Sequence, residues 1–437
     1  MAVGAIAMLA MAVPALTQEA PQTDEVFTLT TAIHVPGNPL VSFDISWVDP
    51  VLNGGTYFLA DRSNKAIDVV NPSNNSIINQ FKPGFVGFTG SNPTSGPNGV
   101  LTVHQANVTE LWVGDTTPGP GPGRVWVLNA ETGANILGGT TTISVGGTTR
   151  ADELCHDPLD NLIMIASPDE GNGTTTFPYL TFISTTTHKV VGKLVFDGGK
   201  DSGGLKATNG LEQCGWSPKT GKFYQNVPEV NGPGDDSQPG AVAVIDPKTM
   251  TVETSFPVDI DKCAGPQGMA IGPSNQILLG CNAASPDGHR NTVIINANSG
   301  AIEAFLPDLG GADEVWFNEG DNHYIIPNCN TPCRTATTPQ KGAELLALVD
   351  SRGFRPDHTV VIADTTTTST PGAMRRIHSA AADPKTNHIF VPVPAAGGAA
   401  PTWDPKICGL PPAIPNDTTG CIAVFGTTND DRSRLVQ

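Results

Sequence analysis

Short apolar stretches that open on a polar residue and close on a turn recur along this chain. The clearest are "FDISWVDP" (43–50), "ADELCHDP" (151–158), "LEQCGWSP" (211–218), "PQGMAIGP" (266–273) and "IHSAAADP" (377–384). "PNGVLTVH" (97–104) and "ADEVWFNE" (312–319) are looser copies, giving seven in all. Each copy is followed by a second apolar run, such as "GTYFLAD", "NLIMIAS" or "HIFVPV". A third run ends on Asn, Asp or Gly, as in "RVWVLNAETG" and "AVAVIDPKTM", where hairpin turns are expected. Most copies add a fourth run, such as "KVVGKLVFD".

The second positions recur every 46 to 65 residues, a spacing typical of repeat architectures. Four short antiparallel strands per repeat make a propeller blade. The fold predicted is therefore all-β, a seven-bladed β-propeller spanning residues 21–437 as one domain. The last copy lacks a fourth strand, whereas "EVFTLTTAIHV" (25–35) is a strand without a blade. It is expected to complete blade seven and close the ring, removing the sheet edges that would otherwise pair with other chains.

Composition supports this reading. The 437 residues include 48 Gly and 38 Pro, only 15% are charged, and no long segment has helical apolar spacing. Residues 1–20 resemble a signal peptide, an apolar run too short to span a bilayer. Eight cysteines suit an oxidising compartment. Proximity suggests the pairs Cys263–Cys281, Cys329–Cys333 and Cys408–Cys421, leaving Cys155 with Cys214, although spacing alone leaves other connectivities open. A secreted location, extracellular or periplasmic, is expected. The formal charge of −18 makes nucleic acid and anionic membrane surfaces poor partners. A small-molecule substrate is the expected partner. The sequons at Asn74, Asn107, Asn172 and Asn416 permit glycosylation.

The candidate chemistry lies in the second-position column: Asp44, Asn98, Asp152, Glu212, Gln267, Asp313 and His378. First strands of blades line a propeller's central channel, so these side chains are expected to converge on one axis. Carboxylates gathered there repel one another. At about 6 Å and an effective dielectric near 20, each pair costs on the order of 2 to 3 kcal/mol. Either a cation sits among them, or some are protonated, or the channel is merely polar and solvated. An oxygen-rich set suits Ca²⁺ best, with Mg²⁺ an alternative. The expected metal ligands are Asn98, Asp152, Glu212 and Asp313. Gln267, Glu153, Glu314, Arg150, Arg376 and Phe85 are expected at the rim or against substrate. Phe85, in "FKPGFVGF" (81–88), is read as part of a lid or as blade packing, and Glu153 as facing a neighbouring blade or the rim.

The column resembles that of the calcium-dependent propeller hydrolases, the gluconolactonase and senescence-marker group with paraoxonase and diisopropylfluorophosphatase, and that of seven-bladed lactonases. "PNGV" with Asn98 is similar to the group's N-G-L step, and "DEL", "LEQ" and "DEV" match in residue type and position. Gluconolactonase-like members usually have six blades, against seven here. The resemblance implies metal-assisted hydrolysis of a lactone or other ester, with Asp44 or Asp313 as base or nucleophile and His378 as proton shuttle. Two other readings stay open: a non-catalytic propeller binding protein or carbohydrate, and a lactone-forming isomerase or lyase. No G-x-S-x-G, H-E-x-x-H or phosphate-loop motif is present.

Overall fold

The structure is a computed structural model that describes residues 27–119, 121–170, 176–329, 343–364, 377–395, 407–408 and 419–427. The predicted leader, Arg376 and Cys333 lie outside the described residues. The described residues form seven four-stranded antiparallel sheets, the blades of a seven-bladed β-propeller. The inner strands are Ser46–Asp49, Val100–His104, Leu154–Asp157, Cys214–Ser217, Ala264–Ile271, Trp316–Asn318 and Ala381–Asp383. Each sits where the sequence repeat places it.

The orphan strand behaves as expected. Phe27–His34 pairs antiparallel with Cys421–Thr427, from Phe27 opposite Thr427 to His34 opposite Cys421. The last blade is thus built from both ends of the described chain, and the ring has no open inter-blade seam. Middle strands are buried on both faces. Thr56–Asp61 has every residue buried, as does Leu162–Ser167. Such runs therefore read as continuous apolar segments and lack alternation.

Hydrophobic clusters lie between neighbouring blades. One joins Phe182 of blade three to Phe223 of blade four. Another joins Tyr57 of blade one to Phe390 of blade seven, whose rings stack at 4.8 Å. Three disulfides form as the spacing suggests: Cys155–Cys214, Cys263–Cys281 and Cys408–Cys421. Cys155–Cys214 couples the inner strands of blades three and four, next to the candidate site. Among the described residues, no helix is long and apolar enough to cross a membrane.

Phe85 does not form a lid. It is buried and meets Trp126 edge-on at 5.8 Å within the core between blades one and two. The Gly-Phe loop turns inward because burying an aromatic ring there is worth more than exposing it at the rim.

Candidate functional site at the channel mouth

A repeated backbone contact sets the level of the site. The amides of Asp44, Asn98, Asp152 and Glu212 donate to the carbonyls of Ala60, Gly114, Ala166 and Asn226, at 2.8 to 3.2 Å. Each bond fixes the residue two places ahead of its inner strand against the end of the second strand. The result is one ring of side chains at one end of the channel.

Six of the seven column residues line a single cavity of about 390 Å³: Asp44, Asp152, Glu212, Gln267, Asp313 and His378. Glu153 and Glu314 line it too. The second acid of "ADEL" and "ADEV" therefore faces the cavity and does not lie against a neighbouring blade. Asn98 is the exception: it is fully buried behind Arg62. Its Oδ1 accepts from Arg62 Nε at 3.0 Å and Nη2 at 2.6 Å, and its Nδ2 donates to the Ala151 carbonyl at 2.9 Å. A guanidinium already occupies the oxygen expected to ligate metal, so Asn98 does not fit that role.

Two buried arginines divide the ring electrostatically. Arg62, 2% exposed, follows the second strand of blade one and reaches Asp44 Oδ2 as well as Asn98, with Asn92 Oδ1 at 3.3 Å. Arg150 precedes Asp152. Its Nη2 lies 2.7 Å from Asp152 and its Nε 2.7 Å from Asp169, while Nη1 is 3.8 Å from Asp44. Arg150 is expected at the rim from sequence, and the structure draws it and Arg62 into the ring.

The remaining acids of the ring are compensated only at a distance, Glu212 by Arg150 and Glu314 by Arg62. Among the described residues no ion pair is formed by Glu153, Glu212, Asp313 or Glu314. Burial, the Glu314 charge and the other channel acids push the Glu153 carboxyl well above the usual range. Glu212 rises through burial and the charges of Asp313 and Asp152, and Glu314 through burial and those of Asp44 and Asp313. Burial, with the charges of Asp44 and Asp169, likewise raises Asp152 to about 8 against the pull of Arg150 and Arg62. Asp44 goes the other way. Burial alone would raise it, but Arg62, a contact with His378 and Arg150 lower it to about 2. One ring thus holds a firmly ionised acid and several acids that resist ionising together.

His378 Nε2 is 3.8 Å from Asp44 Oδ1. Its ring lies flat on Phe43, centroids 4.6 Å apart and 2° from parallel. Sequence reasoning missed Phe43 as a support. It stands one place before Asp44, among the small or apolar neighbours of the column, where nothing marks a stacking partner. Gln267 Nε2 reaches Glu212 Oε1 at 3.5 Å, and its Oε1 accepts from Asn282.

No family model matches the chain, and no curated protein matches it. Solved structures do. A chain of "Crystal Structure of Mitotic Checkpoint Complex" superposes with a TM-score of 0.51 at 14% identity, covering 88% of this chain and 96% of that one. "Kuenenia stuttgartiensis Hydrazine Synthase" gives 0.48 at 11% identity, over 70% of this chain and 76% of that one. The first likeness is one of fold alone.

The crowded acids of the ring have a measurable consequence. In chelator, and at pH high enough to ionise the crowded acids, Glu153→Gln is expected to raise stability by about 2 kcal/mol, since it removes one like-charge contact from the ring. The same substitution should shrink any stabilisation by added divalent cation. Urea titrations with and without cation check both effects. A variant less stable than the parent in chelator would contradict the crowding described here.

Proposed function

We propose that this protein is an exported, divalent-cation-dependent hydrolase that opens a small lactone or other ester at the channel mouth. One observation carries the reading: six carboxylates and two guanidiniums line one cavity, and the guanidiniums pair directly with only two of the six, Asp44 and Asp152. The other four, Glu153, Glu212, Asp313 and Glu314, offer oxygens to a cation and form no ion pair among the described residues. Hard divalent ions such as Ca²⁺ or Mg²⁺ suit oxygen donors. The cavity has the size of small-molecule sites. Three disulfides support export.

When bound, such an ion supplies a Lewis acid for the ester carbonyl and lowers the proton affinity of a water. The chain's own groups do the rest. Arg62 keeps Asp44 ionised, so at neutral pH Asp44 is a fixed negative charge that orients His378. His378, held by Phe43, lies where its imidazole can exchange a proton with the open cavity. Asp313 offers a further carboxylate in the lining of the same cavity. Phe43, Val41 and Pro394 are the apolar lining, leaving a mostly polar cavity suited to a hydroxylated substrate.

The test is a panel of lactones and esters assayed with Ca²⁺, with Mg²⁺ and with chelator. Turnover is expected only with cation, and Asp44→Asn should lower kcat/KM by roughly 10²–10⁴-fold. Absence of turnover across the panel, with a melting temperature indifferent to chelator, would remove the proposal.

A further inference from the structure

We infer that the resident cation sits where Asp44, Glu314 and His378 converge, and that it is a first-row transition ion of the Zn²⁺ or Mn²⁺ class in preference to Ca²⁺. This rests on the cation-dependent reading above and changes the metal and its seat: Asp44 and His378 then hold the ion, and the proton-accepting role passes to Asp313, which lines the same cavity. One ligand atom from each of the three residues lies within 4.8 Å of the others. Two carboxylate oxygens and one imidazole nitrogen make a mixed donor set, which favours transition ions over the all-oxygen sets of Ca²⁺.

The seat is built, not incidental. Three blades supply it, and each ligand is held from behind. Arg62 grips Asp44 by Oδ2, leaving Oδ1 toward His378. Phe43 fixes the plane of the imidazole. The Glu314 amide donates to the His378 carbonyl at 3.0 Å, locking blade six to blade seven at the site. Such outer contacts orient metal ligands. A separate observation points the same way. Glu153 is only 5% exposed and lines the same cavity, and its carboxylate has no hydrogen bond or ion pair among the described residues. Its strongest charge interaction is with Glu314. A buried carboxylate beside the cluster with no donor is what an ion would satisfy. Three ligands leave a side open to the cavity, as in sites that bind substrate.

The test uses the full chain stripped with chelator and then titrated with Zn²⁺ and with Ca²⁺. Stoichiometry comes from elemental analysis after dialysis and affinity from calorimetry. Copper is a spectroscopic probe, since a histidine ligand splits its electron paramagnetic resonance signal. Titrations are done in a His289→Ala background, because the exposed His289–Asp308 pair is an adventitious binder. One tight Zn²⁺ equivalent is expected, with Ca²⁺ weaker. His378→Asn should weaken Zn²⁺ by at least ~10-fold, abolish the nitrogen splitting and leave Ca²⁺ binding unchanged. Glu314→Gln, which keeps the shape of the side chain, should weaken Zn²⁺ similarly and carries the test if His378→Asn fails to fold. Unchanged Zn²⁺ affinity in both variants, or Ca²⁺ displacing Zn²⁺ at equal concentration, overturns the inference. The two readings fail separately. Ca²⁺-dependent turnover in the parent, with Zn²⁺ affinity unchanged in both variants, sinks the seat and spares the hydrolase. Zn²⁺ bound through His378 without turnover does the reverse.

Discussion

Arg62→Met is expected to lower the unfolding free energy by about 3 to 5 kcal/mol, the cost of leaving a buried charge without its partner. Arg62 is 2% exposed and serves Asp44, Asn98 and Asn92 at once. Methionine fills the same space and offers no donor. Asp44 would keep only Arg150, at 3.8 Å, and His378, also at 3.8 Å. Asn98 Oδ1 would lose both of its donors while staying fully buried. Arg62→Lys should recover only part of the loss, because one ammonium cannot reproduce a fork that spans two blades. The decisive arm is a double variant. Adding Asp44→Asn to Arg62→Met removes the stranded charge, so the pair should cost clearly less than the sum of the singles. Urea midpoints in chelator give all the numbers needed. Additive losses would mean that Arg62 acts through packing, not charge.

Why Arg62 escaped sequence reasoning as an interior residue is itself physical. The repeat is legible because a blade needs a fixed order of strands and turns, and the inner-strand copies carry that order in seven places. Closure by residues 25–35 is legible because an apolar strand without neighbours needs a sheet edge. The level of the column follows from the same period, and the structure places Asp44, Asp152, Glu212, Gln267, Asp313 and His378 around one cavity. Arginine obeys no such period. Arg62 and Arg150 occupy loops, where a guanidinium most often meets water, and their direction depends on which acids lie across a gap between blades. Arg62 bonds Asn98, 36 positions away. No local pattern encodes that reach. Once the arginine takes Asn98, the amide most similar to the gluconolactonase step is lost to any ion, and the electrostatic need moves to the four acids that form no ion pair among the described residues. Glu153 shows the same limit. A strict two-residue alternation turns the neighbour of an axial residue away, but 151–153 precedes the strand and is not bound by that alternation.

Asp68→Asn is expected to raise the unfolding free energy by at most about 4 kcal/mol at pH 7, the largest gain open to a single substitution at this end of blade one. Asp61 and Asp68 are both fully buried. Asn64 donates to Asp61 from its backbone at 3.0 Å and from its side chain at 2.6 Å, and Gln80 donates to Asp68 Oδ1 at 2.7 Å. Asp68 Oδ2 has no donor at all. Burial, then the Asp61 charge, push Asp68 well above its usual 3.8, and burial raises Asp61 to about 6. Both shifts are upward, so the folded state binds protons that the unfolded chain releases. Stability supplied by these groups is therefore complete below about pH 4 and is lost as pH rises toward and beyond 6. The bound is the energy of holding a proton from pH 3.8 to pH 7, about 1.4 kcal/mol per unit. An asparagine supplies a permanent N–H where that proton sits, and its oxygen still accepts from Gln80. Asp61 can then ionise with donors from both Asn64 and the new amide. Other raised acids in the channel also slope the parent's stability, so the readout is the difference between variant and parent across pH 5 to 8. That difference should widen as pH rises. Asp61→Asn is the control: it breaks the acceptor set that Asn64 serves and should gain much less. A difference that stays flat with pH would show that the pair holds no shared proton.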